Sequence, residues 1–276
     1  MTMDERFVCA SFPRSSAYHP EWIMAGVSGG ANSLWLTEWL TEALVLRPGM
    51  RVLDLGCGRG ASSIFLRREL GVQVWAVDWW FSVSERLQRI QDAGVEDGVF
   101  PIHADARSLP FAPAFFDAII CIDAFPYCGG TDDLSLANLA RFVKPGGQLG
   151  IAGAGVMQDI ESGAVPEHLR AWWEQDQAWC LHSAAWWRRH WERSGIVDVE
   201  IADTMPDGWE RWLDWHRAIA PDNREELQAL ETDRGRYLGY VRVVGRRRQD
   251  LELRDPIVSV PADYKKTPLL APVAGA

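Results

Sequence analysis

Between residues 32 and 155 the apolar positions follow two alternating rhythms. The runs at 51–55, 73–77, 99–103, 116–122 and 147–152 are short and nearly continuous, so they predict strands buried on both faces. The stretches at 32–46, 60–70, 82–93 and 132–144 instead space their apolar residues by three and four, which predicts helices with one buried face. In the first of these Leu36, Trp39, Leu40 and Ala43 share a face behind an Asn or Ser cap, and Pro48 and Gly49 end it. Strands alternating with helices across short turns mean a parallel sheet wound on both faces.

The alternation stops after residue 155. Residues 156–195 lack a strand-like run and carry Trp172, Trp173, Trp179, Trp186, Trp187 and Trp191 on two predicted helices. Ile196 to Ala202 and Tyr237 to Val244 return to strand, separated by a second helical insertion at 205–232 with Trp209, Trp212 and Trp215 at intervals of three. From Asp255 the prolines at 256, 261, 268 and 272 predict an extended tail. One domain accounts for the whole: an N-terminal lid and helix (1–46), a core (47–155), a helical cap (156–195), the rest of the sheet (196–246) and the tail (247–276). At 276 residues such a domain can bury a full core.

Charge and cysteine usage narrow the partners. With 28 basic against 38 acidic residues the net charge is -10, which disfavours nucleic acid, since phosphate binding needs a basic surface. The basic run Arg246 to Arg248 reads as a solvated strand end. Five cysteines, at 9, 57, 121, 128 and 180, show neither metal-type spacing nor a disulfide framework, so no metal site is expected and a reduced, cytoplasmic setting is. The N-terminus lacks a signal-peptide pattern, and no run approaches a membrane span.

The chemistry concentrates at Arg51-Val-Leu-Asp-Leu-Gly-Cys-Gly-Arg-Gly60, where a strand meets glycines at every second position and then a helix. Gly56, Gly58 and Gly60 let the backbone take positive φ and let a ligand approach the main chain at the carboxyl end of a parallel strand. Gly56, Gly58 and Ala61 also supply the dinucleotide spacing G-x-G-x-x-A, so the turn alone leaves the cofactor open.

The wider pattern resembles the class I S-adenosylmethionine-dependent methyltransferases. Val52 to Gly60 resembles that family's first motif. Val74-Trp-Ala-Val-Asp78 is similar to the second strand and its ribose-binding acid, and His103-Ala-Asp-Ala106 to the segment beside the adenine. Phe115 to Asp123 resembles the fourth strand, and Phe142-Val-Lys-Pro-Gly-Gly-Gln-Leu-Gly150 the entry to the fifth. The resemblance spans residues 47–155 and includes the ubiquinone and menaquinone C-methyltransferase group. It implies a seven-stranded Rossmann-like sheet whose last strand is antiparallel, with S-adenosyl-L-methionine as cofactor and S-adenosyl-L-homocysteine as product. A small-molecule acceptor with an N, O or C nucleophile, and compatibility with a homodimer, also follow.

On that resemblance Asp54 orders the glycine turn and the methionyl ammonium, and Asp78 holds the ribose hydroxyls. Trp79 covers the adenine face, Asp105 and Ala106 meet its edge, and Asp123 faces the reactive end. An acceptor's proton requires a base, for which His168 and His182 in the cap and Tyr127 in the acceptor wall are the candidates. The clustered tryptophans read first as a core-facing stripe, and alternatively as an aromatic box for a flat or cationic acceptor held under the cap. A nicotinamide-dependent oxidoreductase using the G-x-G-x-x-A turn, and a non-catalytic cofactor-binding protein, stand as alternatives. Lys144-Pro-Gly-Gly147 counts against the first.

Overall fold

The computed structural model describes residues 7–27, 30–128, 135–160, 164–175 and 180–253. Gly29, Trp179, the tail from 254 and the Tyr127 side chain lie outside the described residues. Its elements are α1 (Pro20–Gly26), α2 (Ser33–Glu42), β1 (Arg51–Leu55), α3 (Ala61–Leu70), β2 (Gln73–Asp78), α4 (Val83–Asp92), β3 (Val99–His103), β4 (Phe116–Ile122), α5 (Ser135–Ala140) and β5 (Val143–Val156). They continue with α6 (Arg170–Gln175), α7 (Ala184–Arg193), β6 (Val197–Thr204), α8 (Gly208–Ile219), α9 (Arg224–Asp233) and β7 (Leu238–Arg247).

The strands form one sheet in the order β3-β2-β1-β4-β5-β7-β6. The first five are parallel, and β7 runs antiparallel to both β5 and β6. The continuous apolar runs explain the central strands: Val52, Leu53 and Leu55 of β1 and Val74, Ala76 and Val77 of β2 are all buried, as strands covered on both faces must be. On one face lie α2, α3, α8 and α9, with Leu36, Phe65, Trp215 and Leu230 in a common core. On the other, α5 and α7 bring Leu139, Trp187 and Trp191 against Leu53, Ile119 and Val243.

Local signals start and stop the helices that matter for the site. Asn32 caps α2, its Oδ1 accepting from Leu34 and Trp35 N–H at 3.1 and 3.3 Å. This helix ends at Glu42, well before Pro48, because the Val45 N–H turns away to Gln148 Oε1 at 2.8 Å on β5. Gly71 ends α3 in the left-handed region (φ 66°), where its N–H reaches Arg67 O. The helix predicted at 132–144 is described only from Ser135 and stops at Ala140, and Val143 already pairs with Phe116. The Lys144–Gly147 turn then enters the sheet as an irregularity that shifts the β4–β5 register between Phe116 and Ala118.

One expectation for the surface changes, and the core-facing reading of the tryptophans holds. Arg247 is buried, its guanidinium donating to Val143 O, so only its neighbours behave as a solvated strand end: Arg246 pairs with Glu200 at 2.6 Å and Arg248 with Asp250 at 3.1 Å. The tryptophans of both insertions go mainly inward. Trp172, Trp187, Trp191, Trp212 and Trp215 are all buried, as three- and four-residue spacing on a packed helix requires.

Candidate cofactor cleft and adjoining chamber

Because β1 and β4 are neighbours while their crossovers run to opposite faces, the sheet opens a crevice at their carboxyl ends, the place where doubly wound sheets bind ligands. The cleft there has a volume of about 600 Å³ and brings together Gly56, Gly58, Asp78, Trp79, Asp105, Ala106 and Asp123 from four different loops. Gly26, Val27, Gly30 and Ala31 of the N-terminal segment close one side of it.

The glycine turn adopts the conformation its sequence requires, with φ of 74° at Gly56, 56° at Gly58 and 90° at Gly60. A Cβ at Gly56 would come within 2.5 Å of the Ala124 Cβ, so the turn packs tightly against the end of β4. Asp78, at the end of β2, fastens two loops together. Its Oδ2 accepts from Gly58 N–H at 2.8 Å, and its Oδ1 from Trp80 and Phe81 N–H at 2.7 and 3.3 Å. Trp79 is 58 % exposed on the cleft wall and stacks on His103 at 5.9 Å, while His103 Nε2 meets the Trp79 carbonyl at 2.7 Å.

Asp54 lies beneath the turn, fully buried and outside the cleft lining. Ser62 and Ser63, in the first turn of α3, both donate to its Oδ2 at 2.6 Å, while Oδ1 has no partner among the described residues. Burial pushes its pKa up to about 6 against the pull of the two hydroxyls. Asp105 is held at about 2 by hydrogen bonds from the Arg107 guanidinium and backbone.

Asp123 is a left-handed non-glycine residue (φ 52°) whose carboxylate ties the N-terminal segment to the sheet. Its Oδ2 accepts from Ala31 N–H at 2.9 Å and its Oδ1 from Ala154 N–H at 3.1 Å. Burial raises its pKa, opposed by those two N–H groups. The same segment is held by Arg59, which donates to Val27 O at 2.8 Å and pairs with Glu85 at 2.6 Å.

The acid–base candidates fall elsewhere. His182 is stacked flat on Trp186 at 3.6 Å, and burial lowers its pKa to about 4. His168 meets buried Asp233 Oδ1 at 2.9 Å. Neither lines the cleft. Nor do any of the tryptophans between 172 and 215 among the described residues, and the cleft's indoles are Trp79 and Trp80.

A second cavity of about 440 Å³ adjoins the cleft, sharing Val27 and Gly30 with it. It is bounded by Met24, by Ala218, Ile219 and Ala220 at the end of α8, and by His216, Asn223 and Glu226. Sequence reading missed His216 and Glu226. The available signal was the i, i+4 placement of Trp212 and His216 on one helix face, followed across a Pro221-Asp222 turn by the capping sequence Asn223-x-x-Glu226.

The sheet, with its single antiparallel strand between the fifth and sixth, and the glycine turn with its acid on β2 are the arrangement that the resemblance of residues 52–147 to class I methyltransferases implies. These same residues match the family described as "Methyltransferase domain". The chain is 34 % identical over 134 residues to the methyltransferase GfsG of Streptomyces halstedii, covering 47 % of this chain and 48 % of that one. It is 34 % identical over 129 residues to the ubiquinone/menaquinone biosynthesis C-methyltransferase UbiE of Ralstonia pickettii, covering 45 % and 50 % respectively. The chain thus spans about half the length of the curated relatives it matches. Among solved structures, phosphoethanolamine N-methyltransferase 2 of Haemonchus contortus shares the fold with a TM-score of 0.65 at 18 % identity, over 90 % of this chain and 60 % of that one. The all-parallel order of a nicotinamide-binding sheet is not the order here. No helix among the described residues is long and apolar enough to cross a membrane.

Proposed function

We propose that this chain transfers a methyl group from S-adenosylmethionine to a small molecule that lies beside the N-terminal segment. The observation that carries the reading is Asp78. Its carboxylate stands at the mouth of the glycine turn with three N–H partners, so one of its four lone-pair sites is left to accept from a ligand hydroxyl. The other contacts fit the same cofactor: a free indole face at Trp79 for the adenine, Asp105 for its edge, and main chain unobstructed by side chains at Gly56 and Gly58. When bound, the sulfonium supplies an already activated methyl group, so the protein's work is to orient the acceptor and keep water out.

Asp54 supports the turn from below and does so whether or not it is ionised, because the hydroxyls of Ser62 and Ser63 can donate or accept. Asp123 sets where the reactive end of the cleft stops, by holding Ala31 against the sheet. The helical insertion that covers the acceptor is α8–α9, with Trp212 and Trp215 supporting it from within the core. The 156–195 block expected in that role packs against the other parts of the sheet and against α9. His168 and His182 then act as packing residues, His182 kept neutral by burial.

Calorimetric titration of S-adenosylmethionine and of NAD into the purified chain tests this reading. Saturable binding of the sulfonium compound alone is expected. Binding of NAD, or of neither, refutes it.

A further inference from the structure

We propose that the second cavity is the acceptor chamber and that His216, oriented by Glu226, removes the proton from a neutral aromatic hydroxyl as that oxygen is methylated. The inference rests on the methyltransferase reading and names its acceptor class and base.

The dyad is a built arrangement. Glu226, on α9, is 8 % exposed and His216, on α8, 4 %. Glu226 Oε1 lies 3.1 Å from His216 Nε2 and accepts from Trp212 Nε1 at 2.8 Å, and its Oε2 accepts from Asn223 Nδ2 at 2.8 Å. A carboxylate with three donors around it can only accept, so the neutral imidazole carries its proton on Nε2. The lone pair is then on Nδ1. That atom is buried and has no partner among the described residues. The Tyr240 hydroxyl is a second buried group without a partner, and its ring stacks on Trp212 at 5.5 Å.

A capping role alone does not account for this geometry. Glu226 N–H does reach Asn223 Oδ1 at 3.4 Å, as a helix start would have it. Yet a capping glutamate needs nothing from the preceding helix, whereas this one takes hydrogen bonds from two residues of α8 that lie one turn apart. The imidazole that carries this unpartnered nitrogen lines a cavity that shares Val27 and Gly30 with the cofactor cleft, which places it where a proton acceptor for a molecule held there is needed.

The lining selects the acceptor. Met24, Ala218, Ile219 and Ala220 offer apolar walls to a ring. Glu226 in the wall repels phosphates and carboxylates. An imidazole lies nearer in basicity to phenolic and enolic oxygens than to alkoxides, so it assists the first two more effectively. In the transfer, the acceptor oxygen forms its bond to the methyl carbon and the carbon–sulfur bond breaks, its electron pair staying on sulfur to leave the thioether. The hydroxyl proton passes to Nδ1, giving an imidazolium beside Glu226, which later releases it to water.

The test uses the full chain saturated with S-adenosylhomocysteine and 4-nitrophenol as probe, at a pH where the free probe is neutral. Wild type is expected to bind the probe saturably with growth of the nitrophenolate absorbance. Glu226→Gln is expected to bind it about tenfold more weakly, and His216→Asn to show no ionised probe. Nitrogen-15 imidazole spectra of the cofactor-product complex without probe give a second readout: the Nε2–H tautomer at His216 in wild type, and a mixture in Glu226→Gln. Normal homocysteine-product binding with no probe binding, probe ionisation that persists in His216→Asn, or an Nδ1–H tautomer in wild type each overturns the dyad. If His216→Asn does not fold, the tautomer of wild type and Glu226→Gln decides. Absence of S-adenosylhomocysteine binding to wild type overturns the methyltransferase reading itself, and the dyad with it.

Discussion

Replacing Asp78 separates what the carboxylate does for the protein from what it does for the ligand. In the free protein it accepts from Gly58, Trp80 and Phe81 N–H, so Asp78→Ala strips an acceptor from three backbone donors in two loops. Those donors lie at a cleft mouth where water can replace part of what is lost, so the cost to folding is about 2 kcal/mol. For a chain of this length that lowers Tm by about 4–8 °C. For the ligand, the count of lone pairs leaves one direct hydrogen bond to the carboxylate. A charge-assisted bond contributes about 1.5–3 kcal/mol, so S-adenosylhomocysteine should bind about 10- to 150-fold more weakly. Asp78→Asn distinguishes the two contributions: it keeps one oxygen acceptor and the shape, and should recover most of the Tm but little of the affinity. Calorimetry at 25 °C with a parallel thermal melt checks both. Binding by Asp78→Ala within threefold of wild type would refute the assignment of the ribose to this residue.

Three further outcomes follow from the electrostatics and the backbone. Asp54 is held at about 6, above its unfolded value of 3.8, so the folded state binds its proton more tightly; stability is fully present below pH 4 and falls through the window up to pH 6. Asp54→Asn should therefore gain on wild type by up to about 3 kcal/mol between pH 4 and pH 7 in paired urea titrations, and parallel curves would contradict the burial argument. His182 is lowered to about 4, so an imidazole titration by NMR should find it neutral at pH 5.5, and a midpoint near 6.5 would mean that its stack on Trp186 does not exclude water. Gly30 has φ 71° and its α-hydrogen faces the Asp123 carboxylate, so Gly30→Ala adds backbone strain of about 1–2 kcal/mol and displaces the latch. Chymotryptic cutting within 12–30, slowed by S-adenosylhomocysteine in wild type, should lose that protection in the variant; equal cutting of wild type with and without the ligand would show that this segment does not order on binding.

Which parts of this molecule are legible in its sequence depends on whether the signal is local. β1 through β4 begin and end almost where the apolar runs do, because a strand buried on both faces has no other pattern to show. The glycine turn is equally plain, since positive φ at three alternate positions leaves few residue types available. Asp78 and Asp123 are legible as strand-end acids, but their work is not: the latch from Asp123 to Ala31 joins residues far apart in sequence, and nothing at either position announces the other. The helix ends at Glu42 and Ala140 were missed for a related reason, as Gln148 draws the Val45 N–H away and pairing with Phe116 claims Val143. The histidines show the limit most clearly. His168 and His182 sit among tryptophans in the segment read as a cap, and the fold sets the first against Asp233 and the second flat on Trp186, neither of which a linear pattern displays. His216 stood in an amphipathic helix whose register already explained Trp212 and Trp215, so its own position looked explained too. Only the fold of α9 back over α8 sets a carboxylate against it, and a polar pair that a helical hairpin creates has no periodicity to betray it. The cleft residues are therefore legible by pattern, whereas a contact such as that between His216 and Glu226 becomes visible only once α8 and α9 are folded together.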